Sequence, residues 1–271
     1  MGNRGFPLDA YLRRVGLSSG RAPDLAALHR AHVTAIPFEN LDPHRGVAPS
    51  LAPEALAAKL IDARRGGYCF EHNLLLAAAL EALGARVELM LARVRLGRPP
   101  GRISPRTHLA LRVEWEGAVW LADVGFGNGT MLEPIPFGPG DAHDQSGWRF
   151  RVVGEGGQHV LQSVRDGVWL DLYAFVPEPV PFIDLETSNW FTASHPRSPF
   201  VTGLIVTRVL PDGTRVQLSD WEGLGLKEQT PDAVTVAPVR REEIGQLLAE
   251  RFGLPGFAVG GDGRVCAISP T

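Results

Sequence analysis

The apolar pattern of the chain changes character at Gly84, and this change constrains the fold more than any other feature. Before it, Leu25, Leu28 and Val33 recur near helical spacing behind Asp24, a residue type suited to capping a helix. Pro37 and Pro43 break the stretch that follows, and Pro53 suits the first turn of a helix through Leu56, Leu60 and Ile61. Arg65-Gly66-Gly67 is a further break. The spacing then predicts a Leu- and Ala-rich helix from Cys69 to Leu83, closed by Gly84. Beyond Gly84, Val87, Leu89 and Leu91, then Val113 and Val119 to Val124, read as strands. Shorter strands fit Phe150 to Val153, His159 to Val164 and Val168 to Tyr173, with Gly and Pro crowding residues 97–105 and 125–140. Many short strands with turn signals predict a small antiparallel barrel or sheet. A hairpin is expected around Pro211-Asp212-Gly213, and a last helix from Arg241 to Phe252, ending at Gly253. The order is helices, then strands, then a mixed segment, which is an α+β chain.

Composition narrows the function classes. The chain has 271 residues, 44% hydrophobic and 21% charged, an ordinary balance for a globular protein with a sizeable core. A net charge of −3 gives no global attraction to nucleic acid or to an anionic membrane. The longest apolar block, Leu74 to Leu80, falls far short of the roughly 18–20 residues of a membrane span. The first residues lack the apolar run of a signal peptide, and Phe6 stands where a myristoylation signal needs Ser or Thr. A cytoplasmic location is the expectation. Cys69 and Cys266 form neither a secreted disulfide framework nor the cluster of about four ligands that structural zinc requires, so no metal is expected. Cys266 reads as a buried strand residue.

The segment from Arg64 to Asn73 carries the most chemistry. Gly66 and Gly67 give a sharp turn, and Cys69 falls at the start of the predicted helix. Free N–H groups at a helix start stabilise a thiolate, and they can receive an oxyanion when a carbonyl is attacked. Cys69 is therefore a candidate nucleophile, against the alternative of a small buried core residue.

A nucleophilic thiol needs a base, and the base needs an orienting acceptor. His108 stands at the head of one predicted strand and Asp123 at the end of the next. Adjacent antiparallel strands bring the two together, and an Asp ending an apolar strand is costly unless paired. His72, three residues after Cys69, is the rival base. A helical side chain at that position does not readily reach back past its own turn to the sulfur, which favours His108.

Taken together, Arg64–Asn73, Thr107-His108-Leu109, Asp123-Val124-Gly125-Phe126-Gly127 and Ile36-Pro37-Phe38-Glu39-Asn40-Leu41 resemble the arylamine N-acetyltransferases. Ser194-His195-Pro196-Arg197-Ser198-Pro199-Phe200 is similar to a later stretch of that family. The resemblance implies a Cys69–His108–Asp123 triad of the papain- and transglutaminase-like kind. It also implies a helical domain over residues 1–84, a β-barrel domain over 85–190 and an α/β lid over 191–271. The activity implied is acetyl transfer from acetyl-CoA to an arylamine, arylhydroxylamine or arylhydrazine by a ping-pong route, as in xenobiotic metabolism. Phe38, Val94, Phe126 and Phe200 match positions that line the family's acceptor pocket. Glu39 and Arg64 match a buried ion pair that supports the site from behind.

Three readings stay open. The run Gly127-Asn128-Gly129-Thr130 is either a flexible turn or a place where pantetheine or pyrophosphate approaches the backbone; it is neither a P-loop nor a dinucleotide fingerprint. The five arginines between Arg93 and His108 form either a solvated loop or a patch that steers the phosphates of CoA. The same triad would also suit a hydrolase or an amide synthase of natural-product assembly, and self-association of the chain into a homo-oligomer is undecided by sequence.

Overall fold

The computed structural model describes residues 5–268 apart from 19, 21, 100 and 262. The first segment is helical: α1 (Leu8–Arg14), α2 (Leu25–Ala35), α3 (Leu41–His44), α4 (Pro53–Leu56) and α5 (Cys69–Ala82), with a π-helical turn over Ala57–Asp62. Asp24 caps α2 as its side-chain type predicts, Oδ1 accepting from the Ala27 N–H at 2.7 Å. The helix α5 is apolar on nearly every side, so it is the one the others and the sheet enclose. Between α2 and α3 runs a two-residue strand, β1 (Phe38–Glu39), which the sequence pattern did not reveal.

The middle segment is an eight-stranded antiparallel sheet. Its strands are β2 (Arg86–Val94), β3 (Arg106–Trp115), β4 (Ala118–Ala122), β5 (Ile135–Pro136), β6 (His143–Gln145), β7 (Trp148–Glu155), β8 (Gln158–Arg165) and β9 (Val168–Phe175). Their order in the sheet is β5-β4-β3-β2-β9-β8-β7-β6. The two ends approach each other: beyond β5, the Gly140 N–H reaches the Val152 carbonyl on β7 at 3.1 Å. The sheet is thus a nearly closed barrel.

The last segment contains α6 (Phe182–Ser194), α7 (Pro199–Thr202), strands β10 (Ile205–Val209), β11 (Arg215–Ser219), β12 (Gly225–Gln229) and β13 (Val234–Pro238), then α8 (Ile244–Phe252). A small hairpin of β14 (Phe257–Val259) and β15 (Val265–Ala267) follows. The expected hairpin at 211–213 is the β10–β11 turn. The five-stranded sheet runs β1-β10-β11-β12-β13, so a strand from the helical segment forms its edge. Helix α6 runs across residue 190, where the family resemblance had implied a domain boundary. Cys266, expected to be buried, is exposed on β15, a two-stranded hairpin that covers little of it.

Three apolar clusters organise the interior. One joins the first helices to the barrel, and a second lies between α8 and the five-stranded sheet. The third is smaller and draws Phe38, Tyr68, Cys69, Phe70, Leu109, Leu185 and Ile205 from all three segments. Cys69 therefore sits where the segments meet. Among the described residues, no helix is long and apolar enough to cross a membrane.

Candidate active site

Cys69 is the first residue of α5 and is 3% exposed. The turn that presents it cannot carry side chains at its glycines. A Cβ on Gly66 would run into the Pro37 carbonyl and come within 2.8 Å of Glu39 Cγ. The Tyr68 N–H donates to Glu71 Oε2 at 3.0 Å, which closes the start of the helix. The Tyr68 hydroxyl donates to Asn189 Oδ1 on α6, so that the residue before Cys69 is tied to the last segment.

Strands β3 and β4 bring the next two groups. Their register pairs Leu111 with Ala122, which sets His108 and Asp123 as diagonal neighbours on one face. His108 Nε2 lies 2.7 Å from Asp123 Oδ2, with both residues buried. Its Nδ1 is the nitrogen left for the sulfur. Between β2 and β3 the pairing jumps from Ala92–His108 to Arg93–Arg106, so Thr107 is bulged out. The Thr107 carbonyl accepts the Cys69 thiol at 3.5 Å, which fixes the sulfur beside the histidine.

Electrostatics follow from this geometry. Burial works against a charged imidazole at His108, but the Asp123 carboxylate and the Cys69 sulfur outweigh it and push the pKa up to about 10. Burial likewise opposes the charge on Asp123, yet His108, Asn73 and the Gly125 N–H hold its pKa below the usual carboxylate range.

Asp123 is held by residues the sequence reading passed over. Asn73 lies one helical turn beyond Cys69, and its Nδ2 donates to Asp123 Oδ1 at 2.9 Å and to the Leu109 carbonyl at 2.7 Å. Its Oδ1 accepts from the Val124 N–H at 3.0 Å. The i, i+4 spacing from Cys69 was the available signal. The Asp123 N–H donates to His29 Nε2 at 3.2 Å, and His29 Nδ1 donates to the Leu132 carbonyl at 3.1 Å. Tyr173, on β9, has its ring 4.7 Å from that of His108. Burial and the nearby Asp123 keep its phenol protonated.

His72 belongs to a different network. Its Nε2 donates to the Pro37 carbonyl at 3.1 Å, so its Nδ1 accepts from His32 Nε2 at 3.0 Å. His32 Nδ1 in turn accepts from the Tyr11 hydroxyl at 2.9 Å. A carbonyl only accepts, so the whole chain has one direction. Burial pushes His72 down to about 4, which makes it a neutral strut.

The expected Glu39–Arg64 pair is corrected to Glu39–Arg65. Arg65 Nη2 lies 2.6 Å from Glu39 Oε1 and 3.2 Å from Asp42 Oδ1. Arg64 has a φ of 52° at the turn and its side chain faces solvent. Lys59 completes the group, with Nζ 2.6 Å from Asp42 Oδ2 and 2.7 Å from Glu71 Oε1. These charges clamp β1 and the Gly66-Gly67 turn together, aided by the Glu39 N–H donating to the Gly67 carbonyl at 2.7 Å.

Aromatic rings pack around the residues of the site. Phe126 meets His108 edge-on at 5.0 Å, Phe38 stacks on His72 at 6.2 Å, and Phe200 lies 6.1 Å from Phe38 and 5.8 Å from Tyr68. Val94 is half-buried and paired with Tyr173 across β2 and β9. Gly127, Asn128 and Gly129 form a single 3₁₀ turn whose two glycines leave room for the rings of Phe38 and Phe126. Arg215 grips the carbonyls of Asn128 and Thr130. The turn is therefore held, not loose, and the Thr130 hydroxyl donates inward to the Asp123 carbonyl at 3.0 Å. Of the basic stretch, Arg95 is already paired with Glu155 at 2.7 Å and Asp171 at 3.0 Å, while Arg98, Arg102 and Arg106 are exposed.

Comparison with known proteins gives a consistent result. A family model described as N-acetyltransferase matches residues 23–256. The chain is 45% identical over 212 residues to an arylamine N-acetyltransferase of Mycolicibacterium smegmatis, covering 76% of this chain and 77% of that one. It is 37% identical to the arylamine N-acetyltransferase of Mycobacterium bovis, covering 91% and 89%. The solved structure of Mycobacterium marinum arylamine N-acetyltransferase in complex with CoA superposes with a TM-score of 0.85 at 36% identity, covering 91% and 92%. The extent of these matches, with an α+β fold that sets a cysteine beside a His–Asp pair, shows that this chain belongs to the arylamine N-acetyltransferase family.

Proposed function

We propose that the chain transfers an acetyl group from acetyl-CoA to an arylamine, arylhydroxylamine or arylhydrazine, in two half-reactions through a thioester on Cys69. The observation that carries this reading is the position of the Cys69 sulfur. It lies at a helix start beside a His108 that is held by Asp123, inside a wall of aromatic rings. In the first half-reaction the Cys69 thiolate attacks the thioester carbonyl of acetyl-CoA. The oxyanion faces the backbone N–H groups of the first turn of α5, and the imidazolium of His108 protonates the departing CoA sulfur. In the second, the neutral amine attacks the Cys69 thioester and His108, now neutral, takes its proton as the sulfur leaves. Asp123 holds the ring in one orientation through both steps.

Phe38, Phe126 and Phe200 supply flat apolar faces for an aromatic acceptor, with Val94 at the margin. The turn at Gly127, Asn128 and Gly129 is the surface along which the CoA arm is proposed to lie, and the CoA bound by the Mycobacterium marinum relative supports that donor. Glu39, through Arg65, supports the nucleophile's turn and does not touch substrate. The enzyme is assigned to the cytoplasm, where acetyl-CoA is at hand. Steady-state rates over a grid of acetyl-CoA and arylamine concentrations test the reading: parallel reciprocal plots are expected, and intersecting ones would exclude the thioester route.

A further inference from the structure

The aromatic wall does not stop at Phe200. Trp221, in the turn between β11 and β12, lies 5.9 Å from the Phe200 ring, edge to face. Phe38 shares an apolar cluster with Cys69, so Phe38, Phe200 and Trp221 form a ladder with steps of about 6 Å from that cluster to the surface. Trp221 is 46% exposed, so its indole presents a free face to the surface.

The ladder is rigidly built. Asn40, next to Glu39, donates from Nδ2 to the carbonyls of Phe200 and Gly203 at 2.8 and 2.7 Å. Its Oδ1 accepts from the Ile205 N–H at 2.8 Å. The Leu204 N–H donates to Asp220 Oδ1 at 2.8 Å, so the Trp221 turn is fastened to the same segment. Gly203 provides the slot for the indole: a Cβ there would lie 2.6 Å from Trp221 Cδ1 and Nε1. One side of the indole is thus packed, and its position relative to Cys69 is set by the same Phe38–Asn40 segment that the ion pairs clamp.

We infer that Trp221 is an outer subsite for a second aromatic ring of the acceptor. A one-ring amine with its nitrogen at the Cys69 thioester is covered by Phe38, Phe126 and Phe200. A fused or linked two-ring amine or hydrazine extends along the ladder and lies against the indole. This rests on the acyl-transfer reading and adds a preference for two-ring acceptors.

The test compares KM and kcat for one-ring and two-ring arylhydrazines in the wild type, Trp221→Ala, Trp221→Phe and Gly203→Ala. Release of CoA from acetyl-CoA without acceptor is measured alongside. Trp221→Ala is expected to raise the two-ring KM about fivefold, the scale of one aromatic contact, with the one-ring KM, kcat and CoA release unchanged. Trp221→Phe should recover most of the loss, and Gly203→Ala, which displaces the indole, should reproduce it. Equal shifts for both acceptor classes, or none, would overturn the subsite alone. Failure of the wild type to acetylate any acceptor would overturn the acyl-transfer reading on which it rests.

Discussion

Asn73 and Asp123 are joined across the interface between α5 and the barrel, Asn73 Nδ2 to Asp123 Oδ1 at 2.9 Å. The helix that starts at Cys69 thereby holds, one turn later, the carboxylate that holds His108. The helix that carries Cys69 is thereby tied to the strand ends that carry His108 and Asp123. Replacing Asn73 by Ala leaves Asp123 Oδ1 and the Val124 N–H short of a partner. The expected stability loss is about 1–3 kcal/mol. CoA release in the first half-reaction should slow by about tenfold or more, the rate equivalent of ~1.4 kcal/mol. Denaturant titration and stopped-flow CoA release check the two effects.

Alkaline pH should inactivate the free enzyme through His108. Its folded pKa is raised to about 10, above the ordinary 6.5, so its stabilising charge is fully present below 6.5 and is lost as pH rises through about 10. The kcat/KM for acetyl-CoA should therefore stay level through neutral pH and fall with an apparent pKa near 10. Asp123→Asn removes the largest force that raises it, so the alkaline limb should move toward neutrality. A profile unmoved by that substitution would contradict the assignment.

Acid should unfold the protein through its buried neutral histidines. His29 and His72 are each pushed down to about 4 by burial, and His32 is also well below 6.5. Between pH 6.5 and 4 the unfolded chain binds protons that the folded one does not, so stability falls as pH falls through this window. Each of the first two contributes on the order of 3 kcal/mol to that fall. Urea midpoints measured from pH 7 to 4 should drop, with a shallower slope in a His29→Gln variant.

The two neighbouring arginines should behave oppositely. Arg65→Met strands Glu39, which is 1% exposed, without its main cation. Breaking a buried pair in this way costs roughly 3–5 kcal/mol. Arg64→Ala removes a solvent-facing side chain and should stay within about 0.5 kcal/mol. Thermal unfolding of the two variants decides between them.

The sequence marked Cys69 and His108, the proposed nucleophile and base, because each falls at an element boundary with its own signal. Gly66-Gly67 before a Leu- and Ala-rich run marks the helix start at Cys69, and the ends of two predicted strands hold His108 and Asp123. Choosing Arg65 over Arg64 as the partner of Glu39 was beyond it, since the choice depends on a left-handed backbone at residue 64 that no local composition shows. Tyr173 reaches the His108 ring from a strand far along the chain, where nothing local marks it. The two-residue strand β1 is formed by partners from the Gly66-Gly67 turn and from β10, not by its own propensity.

The central claim is that Cys69 holds the acetyl group between the two half-reactions. Mixing the enzyme with acetyl-CoA and no acceptor, then measuring CoA release and the mass of each cysteine peptide, tests it most directly. One CoA released per chain and an acetyl group on the Cys69 peptide alone, discharged on adding an arylamine, is the predicted result. Acetyl transfer to the amine without a labelled Cys69 peptide, or undiminished transfer by Cys69→Ala, would contradict it.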